Sequence, residues 1–412
     1  MMVGLTVASC SDSNDVAGEE GGQASAFEAD YIGKAVGNFS ADEWNPGGLL
    51  GTTDNVTAGC YEDEAPAVNQ QGLDAEFNLG ETFFERNFNS ATAPFNGLGP
   101  ASLRRSCIDC HPGYGHGKRQ MSYKSQFGNG YLLAIYHPVD GQNSNDGPYI
   151  SEVTGMPQTQ ASYPFLPPLD EDQIRISWHE VTAMESGLPM EFEDGEKYSL
   201  IYPEVYIPTT AVNTKPQPEN IAVRLESTIG IMGTGLLDAI TEDDLREQYR
   251  QEAKYVELNP SMWDKDANDF ASTAWYTLAD GQKAVKRFTY ALTRASLQDG
   301  AGANAIWNIT NVTRSDRPKL YTTTAWADKM AETPSVIEAI KNDPLSPYFA
   351  DGTDDGIADA VRNLLSPATN QFDNPWYRFE AEMSDYNYYA FLVLLMTCFG
   401  VNMLLSGLHS YA

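Results

Sequence analysis

Apolar residues recur along this chain with two different periods, and the change of period marks its organisation. Leu73, Phe77, Phe84 and Phe88 recur at helical spacing, which predicts an amphipathic helix over 73–88. From 128 to 208 the texture turns strand-like. The stretches 131–136, 173–178 and 198–202 are rich in β-branched and aromatic residues, with turn residues between them. Ile174, Ile176 and Trp178 alternate with Arg175 and Ser177, the pattern of a half-buried strand. From 219 the chain is expected to return to helix, and Thr241 with Asp244 three positions on marks a helix start. Residues 282–340 mix helix with Gly- and Asn-rich loop, and 352–366 and 376–390 are further expected helices. No internal repeat is visible. The predicted fold class is mainly α with a β insertion at 128–208, an α+β arrangement.

Composition adds size and charge to this picture. A chain of 412 residues has room for two or three domains. Hydrophobic content of 42% and aromatic content of 11% mark a folding sequence, not a disordered one. With 26 Lys and Arg against 57 Asp and Glu, the formal charge is −31. That sign repels nucleic acid and anionic membrane surfaces and steers basic partners inward; solubility alone is the plainer reading.

The ends read differently from the middle. Val7-Ala8-Ser9-Cys10 resembles a bacterial lipobox, small residues before a Cys followed by a polar tether. This predicts residues 1–30 to be a lipoprotein signal remnant and tether. Membrane attachment through a lipidated Cys10 follows, in the periplasm or at the outer membrane. An incidental Cys in an apolar N-terminus is the alternative. Residues 31–66 carry turn chemistry and are expected to form ordered loop. Cys60 lies there, either a free thiol or the disulfide partner of Cys398. From Tyr386 to Ala412 there is no Asp, Glu, Lys or Arg. This apolar tail reads as an altered C-terminus, a buried helix or a membrane anchor.

The chemistry concentrates at Ser106-Cys107-Ile108-Asp109-Cys110-His111, a Cys-x-x-Cys-His sequence. Two thiols at this spacing each form a thioether with a haem vinyl group, and the adjacent His111 then lies under the iron as proximal ligand. A thioredoxin-like redox pair requires a βαβ context, which the pattern lacks. A zinc site requires a second ligand pair, and the nearest candidate, His116, has no companion Cys. Haem c is therefore the expected cofactor.

With this motif placed, its flanks resemble the bacterial di-haem oxidoreductases, a family described as thiol oxidoreductases or peroxidases, some of them imelysin-associated. The resemblance rests on Asn96-Gly97-Leu98-Gly99-Pro100 leading to the haem motif, on Val153–Gln158, on Gly233–Ile240 and on Trp307–Arg314. It covers about residues 40–390. Gly80, one turn before Phe84, is similar to the Gly and aromatic of a cytochrome c N-terminal helix. The resemblance implies a cytochrome c-like haem domain over 31–250, and haem-based electron transfer, with peroxide or thiol oxidation, outside the cytoplasm. It also implies a second Cys-x-x-Cys-His further on, and this sequence has none. Residues 251–385 are accordingly expected to be a helical and loop region leading to a second cytochrome-like domain that is missing.

The remaining site residues are candidates of graded standing. Met232 is the first candidate for the sixth iron ligand and Met156 the second, against core packing for either. Arg105 and Arg224, with Arg104 beside them, are candidates to pair with haem propionates, against ordinary surface charge. His116 is expected at the surface, and His137 and His179 on strands in structural roles. The Asn-x-Ser/Thr sites at Asn38, Asn55, Asn308 and Asn311 read as incidental. No catalytic Ser/His/Asp set, P-loop or dinucleotide fingerprint is present. The leading expectation is a c-type haem oxidoreductase serving a redox partner protein or a small oxidant. A non-catalytic electron carrier, or a haem- or iron-handling lipoprotein, is the alternative.

Overall fold

The computed structural model describes residues 55, 62–88, 98–114, 117, 119–124, 128–138, 150–192, 195–228, 231, 238, 240–277, 281–287, 295, 306–311 and 319–367. Cys10, Cys60, Met232, His116, Cys398, the expected helix at 376–390 and the apolar tail lie outside these residues.

Two helices lead into the Cys-x-x-Cys-His motif. A short α1 (Pro66–Gln71) opens on a proline at its first turn, where a missing N–H costs nothing. Then α2 (Asp74–Glu85) carries Asp74 and Glu76 in its first turn, where the helix dipole favours anions. Its buried face is Phe77, Gly80, Phe83 and Phe84. The expected helix is thus present, ending three residues early. Arg86 turns extended, and Phe88 continues as buried coil.

Between 101 and 227 the structure is antiparallel. A short β1 (Ala101–Ser102) pairs with β3 (Gln160–Ala161), and β2 (Tyr131–Tyr136) lies where the strand-like residues of 131–136 put it. The expected strand at 173–178 is β4 (Arg175–Val181), which leads through a four-residue α3 (Ala183–Ser186) to β5 (Leu200–Tyr206). Helix was expected from 219; instead β6 (Ala222–Ser227) pairs with β2 over its full length. The reason is visible in the residues. Val223 and Leu225 pack on the core that Leu133, Ile135, Ile174 and Ile176 build, a spacing of two that only a strand can present to one side.

The chain then forms α4 (Glu242–Glu252), capped by Thr241 accepting from the Asp244 N–H, as the sequence predicted. The stretch expected to be helix and loop next contains two small hairpins. These are β7 (Trp263–Asp264) with β8 (Asp269–Phe270), and β9 (Trp275–Thr277) with β10 (Lys283–Val285). Aromatic packing holds them: Trp263 meets Phe270 edge-on at 5.6 Å and stacks on Tyr249 of α4 at 5.8 Å. The fold class is accordingly a mixed α+β composition, with more strand than the mainly α expectation allowed.

Three helices close the described chain: α5 (Thr324–Ala331), α6 (Pro334–Lys341) and α7 (Asp354–Leu365). In α7, Ile357, Val361 and Leu365 are spaced by four and fully buried, and Thr353 caps its first turn. Trp326 of α5 is the centre of this core. Its ring meets Phe165 at 5.9 Å, and its indole N–H donates to the Leu166 carbonyl at 2.8 Å. Among the described residues no helix is long and apolar enough to cross a membrane.

Trp326 joins the helices to the 165–166 loop, so its removal should cost more than area alone. Trp326→Ala is expected to destabilise by about 3–5 kcal/mol, read as a lower urea midpoint. Leu345→Ala, at an 86% exposed side chain, should change the midpoint little.

Candidate functional site

The segment entering the Cys-x-x-Cys-His motif is held on both sides. Ala101 and Ser102 pair with β3, while Leu103 donates its N–H to Ile309 at 2.8 Å and Gly99 donates to Thr310 at 3.0 Å. Asn311 completes the clamp from a buried, left-handed backbone (φ +57). Its side-chain N–H donates to the Ala101 carbonyl at 2.7 Å, and its Oδ1 accepts from Tyr321 at 2.6 Å. Gly99 lies so close that a Cβ there would stand 2.4 Å from the Asn311 carbonyl. Burial of Asn308 and Asn311 agrees with reading their glycosylation sequences as incidental.

Beyond this clamp the motif winds into one helical turn. The Cys107 carbonyl accepts from the N–H groups of Cys110 and His111, both at 3.1 Å, and His111 in turn accepts from Tyr114 at 2.8 Å. Positions three and four apart on a turn share a face, so Cys107, Cys110 and His111 are presented together. The turn sits on the end of α2, where the Phe84 carbonyl accepts from both Cys107 and Ile108 at 3.1 Å. The Phe84 ring lies 6.2 Å from the His111 imidazole and stacks on Tyr114 at 5.1 Å. Tyr114 fixes itself by donating its hydroxyl to Glu85 at 2.7 Å. On the other side Gly128 (φ +76) touches the Asp109 backbone so closely that a Cβ would lie 2.4 Å from its carbonyl. Thr228, just past β6, brings its hydroxyl within reach of the Cys110 and Gly130 carbonyls.

The two thiols are not of the activated kind. Burial is the main reason that Cys107 is pushed up to about 12, and Cys110 to about 11. For Cys107, the neighbouring Cys110 and Asp109 add to the effect. Both cysteines are free. A thiol–disulfide centre needs a lowered thiol pKa, and a βαβ frame is its usual setting. Every strand pair among the described residues is antiparallel. The thiols therefore lack the lowered pKa that a thiol–disulfide centre uses. The donor set fits a haem: two sulfurs and one imidazole on one turn, walled by two aromatic rings.

The arginines divide differently from expectation. Arg104, weighed below Arg105 on sequence, is 3% exposed and carries the densest polar network of the site. One terminal nitrogen donates to the Leu103 carbonyl at 2.8 Å, to Thr159 Oγ1 at 2.9 Å and towards Glu171 at 3.3 Å. The other donates to Asn129 Oδ1 at 3.1 Å, and the guanidinium lies 4.9 Å from the Tyr123 ring centre. Burial, partly offset by Arg104, pushes the Tyr123 hydroxyl up to about 12, so the ring stays neutral beneath the cation. Arg104, Asp109, Gly128, Asn129, Gln160 and Glu171 line a polar cavity of about 20 Å³. Gln160 Oε1 is buried there without a protein partner, and one water would fit and satisfy it.

Arg105 is exposed. Arg224 sits in β6 opposite Ala134, pairs with Glu226 and lies 5.7 Å from the Tyr136 ring centre. Met156 is half-buried, its carbonyl accepting from Thr154. His137 follows β2 and faces the Asn220 carbonyl at 3.2 Å, and His179 in β4 pairs with Glu204 at 2.9 Å. Among the described residues no cluster of three or more His, Cys, Asp or Glu side chains is arranged to hold a metal ion. Compared with protein-family models, curated proteins and solved structures, the chain matches none of them.

Two outcomes follow. Arg104→Ala would strand Glu171 and Asn129 in a buried place and should cost about 3–5 kcal/mol; Arg104→Lys should rescue little, because an ammonium cannot reproduce the fork. Arg105→Ala should stay within about 0.5 kcal/mol, all three read by chemical denaturation. Site-resolved alkylation of the haem-free chain with iodoacetamide should find Cys107 and Cys110 slow at pH 8. Their rates should climb as pH rises towards 11–12, where the thiolates form. Rapid labelling at pH 8 would contradict the buried thiols.

Proposed function

We propose that this chain is a c-type haem oxidoreductase that passes single electrons through a covalently held haem. The observation that carries the reading is the single turn that presents Cys107, Cys110 and His111 on one face against Phe84 and Tyr114. Cys107 and Cys110 would hold the haem, each thiol adding across a vinyl double bond and supplying both sulfur and proton, so that attachment would consume no oxidant. His111 offers an imidazole nitrogen to the iron. When bound, the haem supplies reversible one-electron redox chemistry at its iron. Phe84 and Tyr114 exclude water on the His111 side. The hydrogen bonds from Cys107 and Ile108 to Phe84 hold the turn in place, and Gly128 holds Asp109 from behind. A fixed ligand geometry keeps the reorganisation accompanying electron transfer small.

Peroxide or thiol oxidation at the same centre, the sixth ligand from Met232, and an extracytoplasmic setting with a lipid anchor at Cys10 belong to the same proposal. They rest on sequence alone. The raised thiol pKa values and the antiparallel sheets support haem attachment over a dithiol redox centre.

Expression with a cytochrome c maturation system is expected to give a chain that keeps haem on a denaturing gel. Cys107→Ala or Cys110→Ala should leave a single thioether and weaken the band, and the double variant should abolish it. His111→Ala should keep the thioethers but alter the Soret band. A colourless wild-type band would end the proposal.

A further inference from the structure

The hairpin formed by β4 and β5 is an arm that, among the described residues, buries nothing beyond its root. Its root is anchored, because Ile176 is buried in the β core and Trp178 and Val205 pack against it. Trp178 also donates its indole N–H to the Gln120 carbonyl at 2.7 Å. Beyond that root, no described residue from Ser177 to Thr210 is buried. The arm is nevertheless regular. Seven cross-strand pairs run from Arg175↔Tyr206 to Val181↔Leu200, and a reciprocal Thr182–Glu185 capping box starts α3 at its end.

Two-stranded hairpins left in water are marginally stable, and contiguous exposed apolar surface on a folded protein marks an interaction site. This arm exposes a run of large apolar side chains. Met184 is 93% exposed and Tyr206 66%, with Phe192, Tyr202, Leu188 and Ile201 between 40% and 56%. On its open face the pairs are Arg175 with Tyr206, Ser177 with Glu204, and His179 with Tyr202. The arm is also strongly acidic. Between 175 and 206 stand Glu180, Glu185, Glu191, Glu193, Asp194, Glu196 and Glu204, against Arg175 and Lys197.

The geometry points to a docking arm for a separate protein whose surface is basic around an apolar centre. The charge selects this occupant. A second copy of the chain would bring two acidic arms together within a molecule of net charge −31. A nucleic acid or an anionic membrane is repelled for the same reason. The apolar side chains give the contact its anchors, and the carboxylates around them give register and a fast, salt-sensitive encounter. The inference does not rest on the haem reading, since the arm and its charge are independent of what Cys107 and Cys110 hold.

The test uses the full chain and a small basic cytochrome c as probe, with an acidic protein of similar size as control, titrated by calorimetry at low ionic strength. Binding of the basic probe, absent with the control and weakening as salt rises, is expected. Reversing four exposed charges together (Glu180→Lys, Glu185→Lys, Glu191→Lys and Glu204→Lys) should weaken it at least roughly tenfold, as several modest surface attractions are lost at once. The triple variant Met184→Ser, Leu188→Ser and Phe192→Ser should weaken it several-fold while leaving the salt slope in place. All seven positions are exposed, and an unchanged thermal melt checks that each variant folds. No binding by the wild type, or equal binding by the charge-reversed variant, overturns the proposal. So does sedimentation showing a dimer that the triple variant dissolves, which would assign the arm to a second copy. Haem retention on a gel is read separately, so failure here leaves the preceding proposal standing.

Discussion

A guanidinium cannot shed its charge, so burying Arg104 obliges the fold to bring partners to it. They come from four separate stretches of chain: Tyr123, Asn129, Thr159 and Glu171. Arg104 is the third residue before Cys107, so the same set of bonds fixes where the Cys-x-x-Cys-His turn begins. The β2–β6 pair, β3 and the segment around Glu171 are all positioned relative to that turn through one cation. Few buried ion pairs stabilise much in net terms, because desolvation offsets attraction. This one ties Tyr123, Asn129, Thr159 and Glu171 to the residue three before Cys107.

Periodicity revealed much of this architecture, and the parts it missed share a cause. The α2 face and the root of β4 were legible because in each the period repeats against a single core. β6 was not, since six residues with a charged pair in the middle read equally as helix. Its identity comes from β2, more than eighty residues away. The hairpins between 263 and 285 have strands of two or three residues, held by aromatic contacts instead of pattern. Arg104 was visible as a residue but not as a network. Nothing local distinguishes it from Arg105, and only tertiary burial separates the two.

The site itself was the most legible feature, because its spacing is chemical. Three residues at fixed offsets require only one turn of helix to bring them close, and the spacing shows that turn before any distant contact is known. What the structure adds is the setting: α2 beneath, Gly128 behind, Phe84 and Tyr114 alongside. A part of the negative charge acquires a location as well. Acidic side chains accompany exposed apolar ones along the β4–β5 arm, where a uniform surface charge would have served solubility alone.

The shielding of the two thiols, with Cys110 buried and Cys107 half-buried, has a consequence for the order of events in the life of the chain. A sulfur enclosed by protein and held in its protonated form reacts slowly with anything, including the group it is proposed to carry. If a haem is joined to Cys107 and Cys110, the joining would come before the turn settles against α2 and before Gly128 packs on Asp109. Assembly of the fold would then be the last step of maturation, sealing bonds made on an earlier, open chain.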